Sequence, residues 1–316
     1  SAQLDRLCED LRMGDLVTYR SVMADSERWG RFEHRPGDIV ISTPPKSGTT
    51  WTQMLCALMV FDGPAFPAQL DAMSPWLDKR IRSEDEVFSI YDRQTHRRFI
   101  KTHTPLDGLP LRHDVSYIVV GRDPRDVLVS WEHHLENIHG DIIFGHRAEA
   151  VGLDDLAEFE PPVPPDPDPT VRFRTFVERE WSTREPVSLA TVLHHLDTGW
   201  EHRNRSNVGL FHFLAYQRDL VGEMARLAEL CSIDLDRERL AELAPEAGIA
   251  RMRDRAHEVA PDISKSEHWK DPADFFRSGT AGEWVERTTE ADRARYEQRV
   301  DELVSAELAR WVHEGV

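Results

Sequence analysis

The chain has 316 residues, 40% of them hydrophobic, enough to bury a large core as one big α/β domain or two small ones. A formal charge of −18 at pH 7 argues against general binding of nucleic acid or anionic membrane, so an anionic ligand would need local Lys and Arg working against the global field. No run of about 18 apolar residues is present, so no spanning helix is expected, and three scattered cysteines without a C-x-x-C pair fit a reduced, cytoplasmic protein.

In chain order, residues 1–35 read as a charged helical lead-in, and SAQLDRLCED lacks the basic-then-apolar pattern of an export signal. Asp38–Thr43 reads as a buried strand, bounded by Pro-Gly and Pro-Pro, and Thr50–Phe61 as the helix that follows it. Arg97–Thr102 is a second strand. Ser116–Gly121 is a third, followed by a helix over Asp126–Leu135. Between His139 and Thr170 the periodicity fails, and PPVPPDPDP (Pro161–Pro169) can be neither helix nor central strand. A structureless insert of that length is expected to be a lid, a binding loop or a disordered segment. Val208–Ala215 is a fourth strand, with Leu220–Cys231 as its helix. The last third reads as a charged helical tail interrupted by HWKDPADFFRSGTAGEW. Strands alternating with helices predict a parallel sheet covered on both faces, with ligands beyond the carboxyl ends of its strands.

Four stretches could carry chemistry at those ends. In PPKSGTTW (Pro44–Trp51), backbone amides at a helix start converge on one point with the helix dipole behind them, and Lys46 adds a mobile cation. This suits a phosphate or sulfate, yet Lys46 precedes Gly48, unlike the order in G-x-x-x-x-G-K-[ST]. An ordinary capped strand–helix turn is the other reading. In KTHTP (Lys101–Pro105), His103 at a strand end could act as a base beside Lys101, or be a packing residue. In YIVVGRDPRDVLVS (Tyr117–Ser130), Arg122 could grip a phosphate with two parallel hydrogen bonds, or pair locally with Asp123; Arg125 and Asp126 are expected to be solvated. In FFRSGTAGEW (Phe275–Trp284), Arg277 precedes two glycines that could let the backbone approach a ligand, or could form a surface loop. His133–His134, His194–His195 and His202 lack H-E-x-x-H spacing and are read as non-metal sites.

Taken in order, PKSGTTW, KTH, Y-x-x-x-x-R-x-x-x-D-x-x-x-S and RSGTAGEW closely resemble the soluble sulfotransferases that use 3′-phosphoadenosine 5′-phosphosulfate (PAPS) and release 3′-phosphoadenosine 5′-phosphate (PAP). The resemblance runs from about Ile39 to Trp284. SVMAD…RPGDIVIS and KTHTPLDGL look most like actinobacterial, mycobacterial glycolipid sulfotransferase-like members. It implies a P-loop nucleotide-kinase-like sulfotransferase fold, as a single domain over 1–316 with a Pro-rich insert or lid at about 139–206. It implies that Ser47, Gly48, Thr49 and Thr50 bind the 5′-phosphate, that Lys46 reaches the bridging oxygen, and that Trp51 and Tyr216 sit at the adenine. Arg122 and Ser130 would hold the 3′-phosphate, with Arg277, Ser278 and Gly279 closing over it. His103 would be the general base, Lys101 its partner, and Ser130 a restraint on Lys46. Sulfuryl transfer to a hydroxyl or amine would be in line, without a metal, because protein cations meet the leaving group's charge.

Three departures from the family's pattern stand out. Ser278 replaces a lysine near the 3′-phosphate, Ala247-Gly248-Ile249 before Met252 replaces a T-S-F-x-x-M stretch at the adenine, and VERTTEADRARYE does not reproduce the family's dimer motif. The acceptor, small-molecule or glycolipid, is expected to lie among Phe66–Arg82, with Phe66 and Trp76, and the 139–206 insert. A non-catalytic nucleotide-binding module of the same fold is the alternative, disfavoured by the presence of His103 and both lysines. A P-loop kinase is disfavoured by the Lys-before-Gly order.

Overall fold

The computed structural model describes residues 16–161, 163–185, 187–262, 268–276 and 282–316. Among these, β1 (Ile39–Ser42) leads into α1 (Thr49–Val60), and β2 (Phe99–Thr102) follows. β3 (Ser116–Gly121) leads into α2 (Pro124–Glu136), then come α3 (Gly140–Val151), α4 (Pro169–Glu178) and α5 (Leu189–Glu201). β4 (Val208–His212) runs into α6 (Phe213–Arg218) and α7 (Leu220–Cys231); α8 (Glu290–Leu303) and α9 (Ala306–Glu314) end the chain. The described strands form one sheet in the order β2-β1-β3-β4, every pair parallel.

The strand sequences explain this burial. In IVIS and SYIVVG every residue is buried, as expected for strands covered on both faces. Alternate side chains feed two cores. Ile39, Ile41, Ile118 and Val120 pack toward α1 and α7. Val40, Tyr117 and Val119 pack toward Leu189, Leu193 and Leu196 of α5 and toward the C-terminal helices. The chain leaves β1 for one edge and returns on the other side as β3. The loops after β1 and β3 therefore diverge and open a crevice at their carboxyl ends.

Three expectations need correction. The strand expected over Val208–Ala215 stops at His212, whose side chain caps the Leu214 amide at 3.2 Å and starts α6. In the lead-in, residues 1–15 lie outside the described residues, and of 16–35 only Glu27–Arg31 is helical. Ser21 and Ser26 hydroxyls bond nearby amides there, competing with a helix. The 139–206 stretch carries α3, α4 and α5, so it is irregular only between those helices, where Asp154–Glu158 forms a short 3-10 turn. α3 hid from periodicity because it presents no apolar stripe; its one buried residue is Arg147. Arg147 bonds the Val22 carbonyl at 3.2 Å and pairs with Asp155, which also pairs with Arg80. Burial opposes ionisation of Asp155, but the two guanidinium groups outweigh it and hold the carboxyl down at about 2.

Candidate active site

The loop after β1 turns sharply. Lys46 has φ 65° and Gly48 has φ 106°. Gly48 is needed there: a Cβ would lie 3.4 Å from the Phe213 ring, on a backbone that side chains rarely adopt. Lys46 adopts the left-handed conformation with a side chain, the kind of local strain that clusters at functional sites. Gly48 caps α1 without a side-chain bond, so the first amides of the helix point into the crevice, as helix starts do. Thr43 and Thr49 hydroxyls bond at 2.6 Å and tie the end of β1 to the helix start. Ser47 Oγ is sealed beneath the loop and has no partner among the described residues. An anionic group fits this cradle.

Arg122, at the end of β3, donates from Nη1 to the Lys46 carbonyl oxygen at 2.9 Å and lies 4.4 Å from the Phe213 ring centroid. Its neighbours are not solvated as expected. Arg125 pairs with Asp123 at 2.6 Å and lies 3.9 Å over Trp284, while Asp126 is buried and accepts from the Gly282 amide at 2.8 Å. The first-turn carboxylates and Pro124 make α2 begin there, which fixes Arg122 at the rim of the crevice.

At the end of β2, His103 Nδ1–H donates to the Thr43 carbonyl oxygen at 2.7 Å. That bond assigns the proton to Nδ1 and leaves the Nε2 lone pair facing the cavity. The ring stands edge-on to Trp76, with centroids 4.4 Å apart. Burial, with Lys101, Lys79 and Lys46 nearby, pushes the imidazole down to about 3. Lys101 is buried beside it, and burial lowers its ammonium too.

These groups line one cavity of about 720 Å³. On one side stand Lys46, Gly48, Thr49, Thr50, Trp51 and Arg122, with Phe213, Ile249 and Met252. Lys46 Nζ sits 4.0 Å over the Phe275 ring, and Ser130 lines the wall from α2. Lys101, His103 and Trp76, with Trp131, Ile138 and Ile143, line the cavity too. Tyr216 is fully buried behind Trp51, its ring 5.5 Å from the indole and its hydroxyl 3.2 Å from Thr52; Phe213 holds the wall position instead. Phe66 packs on Phe61 and Arg255, away from the cavity. Arg277, Ser278 and Gly279 lie outside the described residues.

Sequence reasoning missed the ion pair of Lys79 with Asp262, which lines the cavity with Lys101, and the cavity-lining His134 and His195. Asp262 is far along the chain from Lys79, so no spacing signalled the pair. Its left-handed backbone, φ 57°, is likewise invisible in the sequence.

Five histidines (His103, His134, His195, His212 and His268) share one electrostatic feature: burial holds each below the ordinary value of about 6.5, to about 3 for His103 and His195 and about 4 for His212 and His268. Below pH 6.5 the unfolded chain therefore binds more protons than the folded one. Stability is full above that pH and falls as pH drops toward 4. Thermal melts from pH 8 to pH 4 are expected to be flat down to about pH 7 and then to fall steeply. A midpoint unchanged at pH 4 would show that these imidazoles are not held neutral.

Among the described residues no group of three or more metal-ligating side chains occurs, and no helix is long and apolar enough to cross a membrane. Residues 36–308 match the family described as "Sulfotransferase domain". The chain is 44% identical to a glycolipid sulfotransferase of Mycobacterium tuberculosis over 320 residues, and 43% identical to one of Mycobacterium bovis over 321, covering 96% of both chains in each case. Its fold is that of a mouse sulfotransferase solved as a complex with PAP, at TM-score 0.64 and 18% identity, over 92% of this chain and 94% of that one. Fold, crevice and the matched span agree: the chain belongs to the sulfotransferase family and is an enzyme of sulfuryl transfer.

Proposed function

We propose that PAPS is the donor and that the acceptor is a hydroxyl of an amphiphile of the glycolipid kind. The observation that carries this reading is that the helix start at Gly48, Thr49 and Thr50, with Lys46, and a neutral, tautomer-fixed histidine open on the same cavity. Ser47, Gly48, Thr49 and Thr50 bind the 5′-phosphate. Trp51 takes the adenine, with Phe213, Ile249 and Met252 around it and Tyr216 supporting from behind. Arg122 and Ser130 take the 3′-phosphate, joined by Arg277, Ser278 and Gly279 of the tail loop.

His103 Nε2 takes the acceptor's proton as its oxygen attacks sulfur. The S–O bond to the phosphate breaks in line, and the departing electron pair stays on the phosphate oxygen of PAP. Lys46 and the α1 amides meet that charge, and they are in place before the reaction begins. Lys101 is buried beside His103 and orients charge at the acceptor. Ser130 restrains Lys46 until the acceptor binds.

The acceptor side supports an amphiphile. Polar His103, Lys101 and the Lys79–Asp262 pair line the cavity together with apolar Trp131, Ile138 and Ile143. A sugar head with an apolar tail meets both, as do the mycobacterial relatives' names. The chain acts as one domain, with the 139–206 stretch as cover for the acceptor side, and the free, buried thiols of Cys56 and Cys231 support a cytoplasmic setting.

Calorimetric titration tests the donor. PAP is expected to bind and ATP·Mg²⁺ not to bind. Binding of ATP·Mg²⁺ with no heat from PAP would overturn the donor assignment and return the cradle to kinase chemistry.

A further inference from the structure

The acceptor side carries a second histidine that the mechanism above does not use. His195, on α5, is 3% exposed and lines the same cavity as His103. The Ser42 hydroxyl donates its proton to the Thr104 carbonyl oxygen at 2.7 Å, so toward His195 Nε2, at 2.9 Å, it acts as the acceptor. Nε2 therefore carries the imidazole proton and Nδ1 carries the lone pair. Among the described residues no group bonds Nδ1, and His195 lines the open cavity.

His103 is built the same way, with Nδ1–H on the Thr43 carbonyl and Nε2 open. The two anchors, Ser42 and Thr43, are consecutive at the end of β1. Two imidazoles thus hang from adjacent residues and offer one lone pair each to one cavity. Burial keeps both neutral at ordinary pH, so both remain acceptors. A purely packing role for His195 would be met by its Nε2–H bond alone; the open Nδ1 is what remains to be used. Thr191, one turn earlier on α5, also lines the cavity, but its hydroxyl is engaged with Ser188 at 2.8 Å. The acidic group nearest in role, Asp262, is taken by Lys79.

One hydroxyl needs one base. A second, fixed acceptor beside the first fits a second hydroxyl on the neighbouring carbon. Resting on the acceptor reading above, we propose that His195 accepts a hydrogen bond from the hydroxyl adjacent to the one sulfated, so that the site selects a vicinal diol, as on a sugar ring, over an isolated alcohol. His195 is then a specificity residue that touches the acceptor, while His103 moves the proton. An acceptor built to receive a hydroxyl discriminates against the analogue lacking it, because its lone pair is left unmatched.

The test uses the full chain, labelled PAPS, octyl β-D-glucoside and its monodeoxy analogues. His195→Phe keeps a flat aromatic ring, somewhat larger, and removes both nitrogens; His195→Gln keeps an acceptor oxygen. For the wild type, the analogue missing the hydroxyl next to the sulfated one is expected to be poorer in kcat/KM by about ten-fold. His195→Phe should compress that ratio to about two-fold or less, and His195→Gln should restore part of it. PAP affinity, read by calorimetry, should match the wild type in both variants, which shows an intact fold and donor site. A uniform loss across all acceptors, an unchanged ratio, or lost PAP binding in both variants would make His195 structural and overturn the proposal. If the wild type binds PAP but sulfates no alkyl glycoside, the diol inference falls and the donor reading stands. If it does not bind PAP at all, the donor reading falls and takes this inference with it.

Discussion

Replacement of His103 by alanine is expected to lower kcat by between about a hundred-fold and ten-thousand-fold, the range typical of a lost general base. PAP affinity should change by about two-fold or less. Nδ1–H is committed to the Thr43 carbonyl, so one nitrogen only, Nε2, can take a proton, and it faces the cavity. The proposed donor cradle lies on a different loop, after β1, with Arg122 after β3. Removing the imidazole leaves those groups in place. The pH profile adds a second test. Burial and three nearby lysines hold the free imidazole at about 3, so kcat/KM should show no titration near pH 6.5, where an exposed histidine would appear. Collapse of PAP binding in the variant would assign His103 to the scaffold; near-normal turnover would move the base elsewhere.

The strand cores and the cradle were legible in the sequence because each rests on local chemistry. SYIVVG is a run of β-branched residues between turn signals, and its six residues form β3 as read. PPKSGTTW encodes a tight turn and a helix start without reference to anything distant. What stayed hidden depends on packing. Arg125 was expected in solvent, but it closes on Asp123 and two aromatic rings from the C-terminal segment. Those rings lie more than a hundred residues away in the chain. α3 was missed because Arg147, not an apolar stripe, is what it buries. The tautomers of His103 and His195 depend on carbonyl and hydroxyl partners at the end of β1, and no residue pattern states them. Tyr216 is expected at the adenine by resemblance, yet it lies behind Trp51, and Phe213, at the start of α6, lines the cavity.

Arg122→Ala is expected to weaken PAP by about a hundred-fold or more, and adenosine 5′-phosphosulfate by about ten-fold or less. The difference follows from two roles held by one side chain. A guanidinium on a phosphate makes charge-assisted, bidentate bonds, and losing a contact of about 3 kcal/mol is roughly a hundred-fold in Kd. That contact exists only for a ligand with the 3′-phosphate. Arg122 also donates to the Lys46 carbonyl at 2.9 Å, at a residue held in the left-handed region. Truncation releases that carbonyl and loosens the cradle, and this loss is common to every ligand that fills the 5′ site. The smaller effect on adenosine 5′-phosphosulfate measures the loop term, and the excess on PAP measures the 3′-phosphate term. Arg122→Lys sharpens the division: it keeps a charge but loses the fork, so it should recover part of the PAP affinity without restoring the bond to Lys46. Calorimetric titration of both ligands against the three proteins reads all of these terms. Equal losses for the two ligands would remove Arg122 from the 3′-phosphate and leave it as a support for the loop alone.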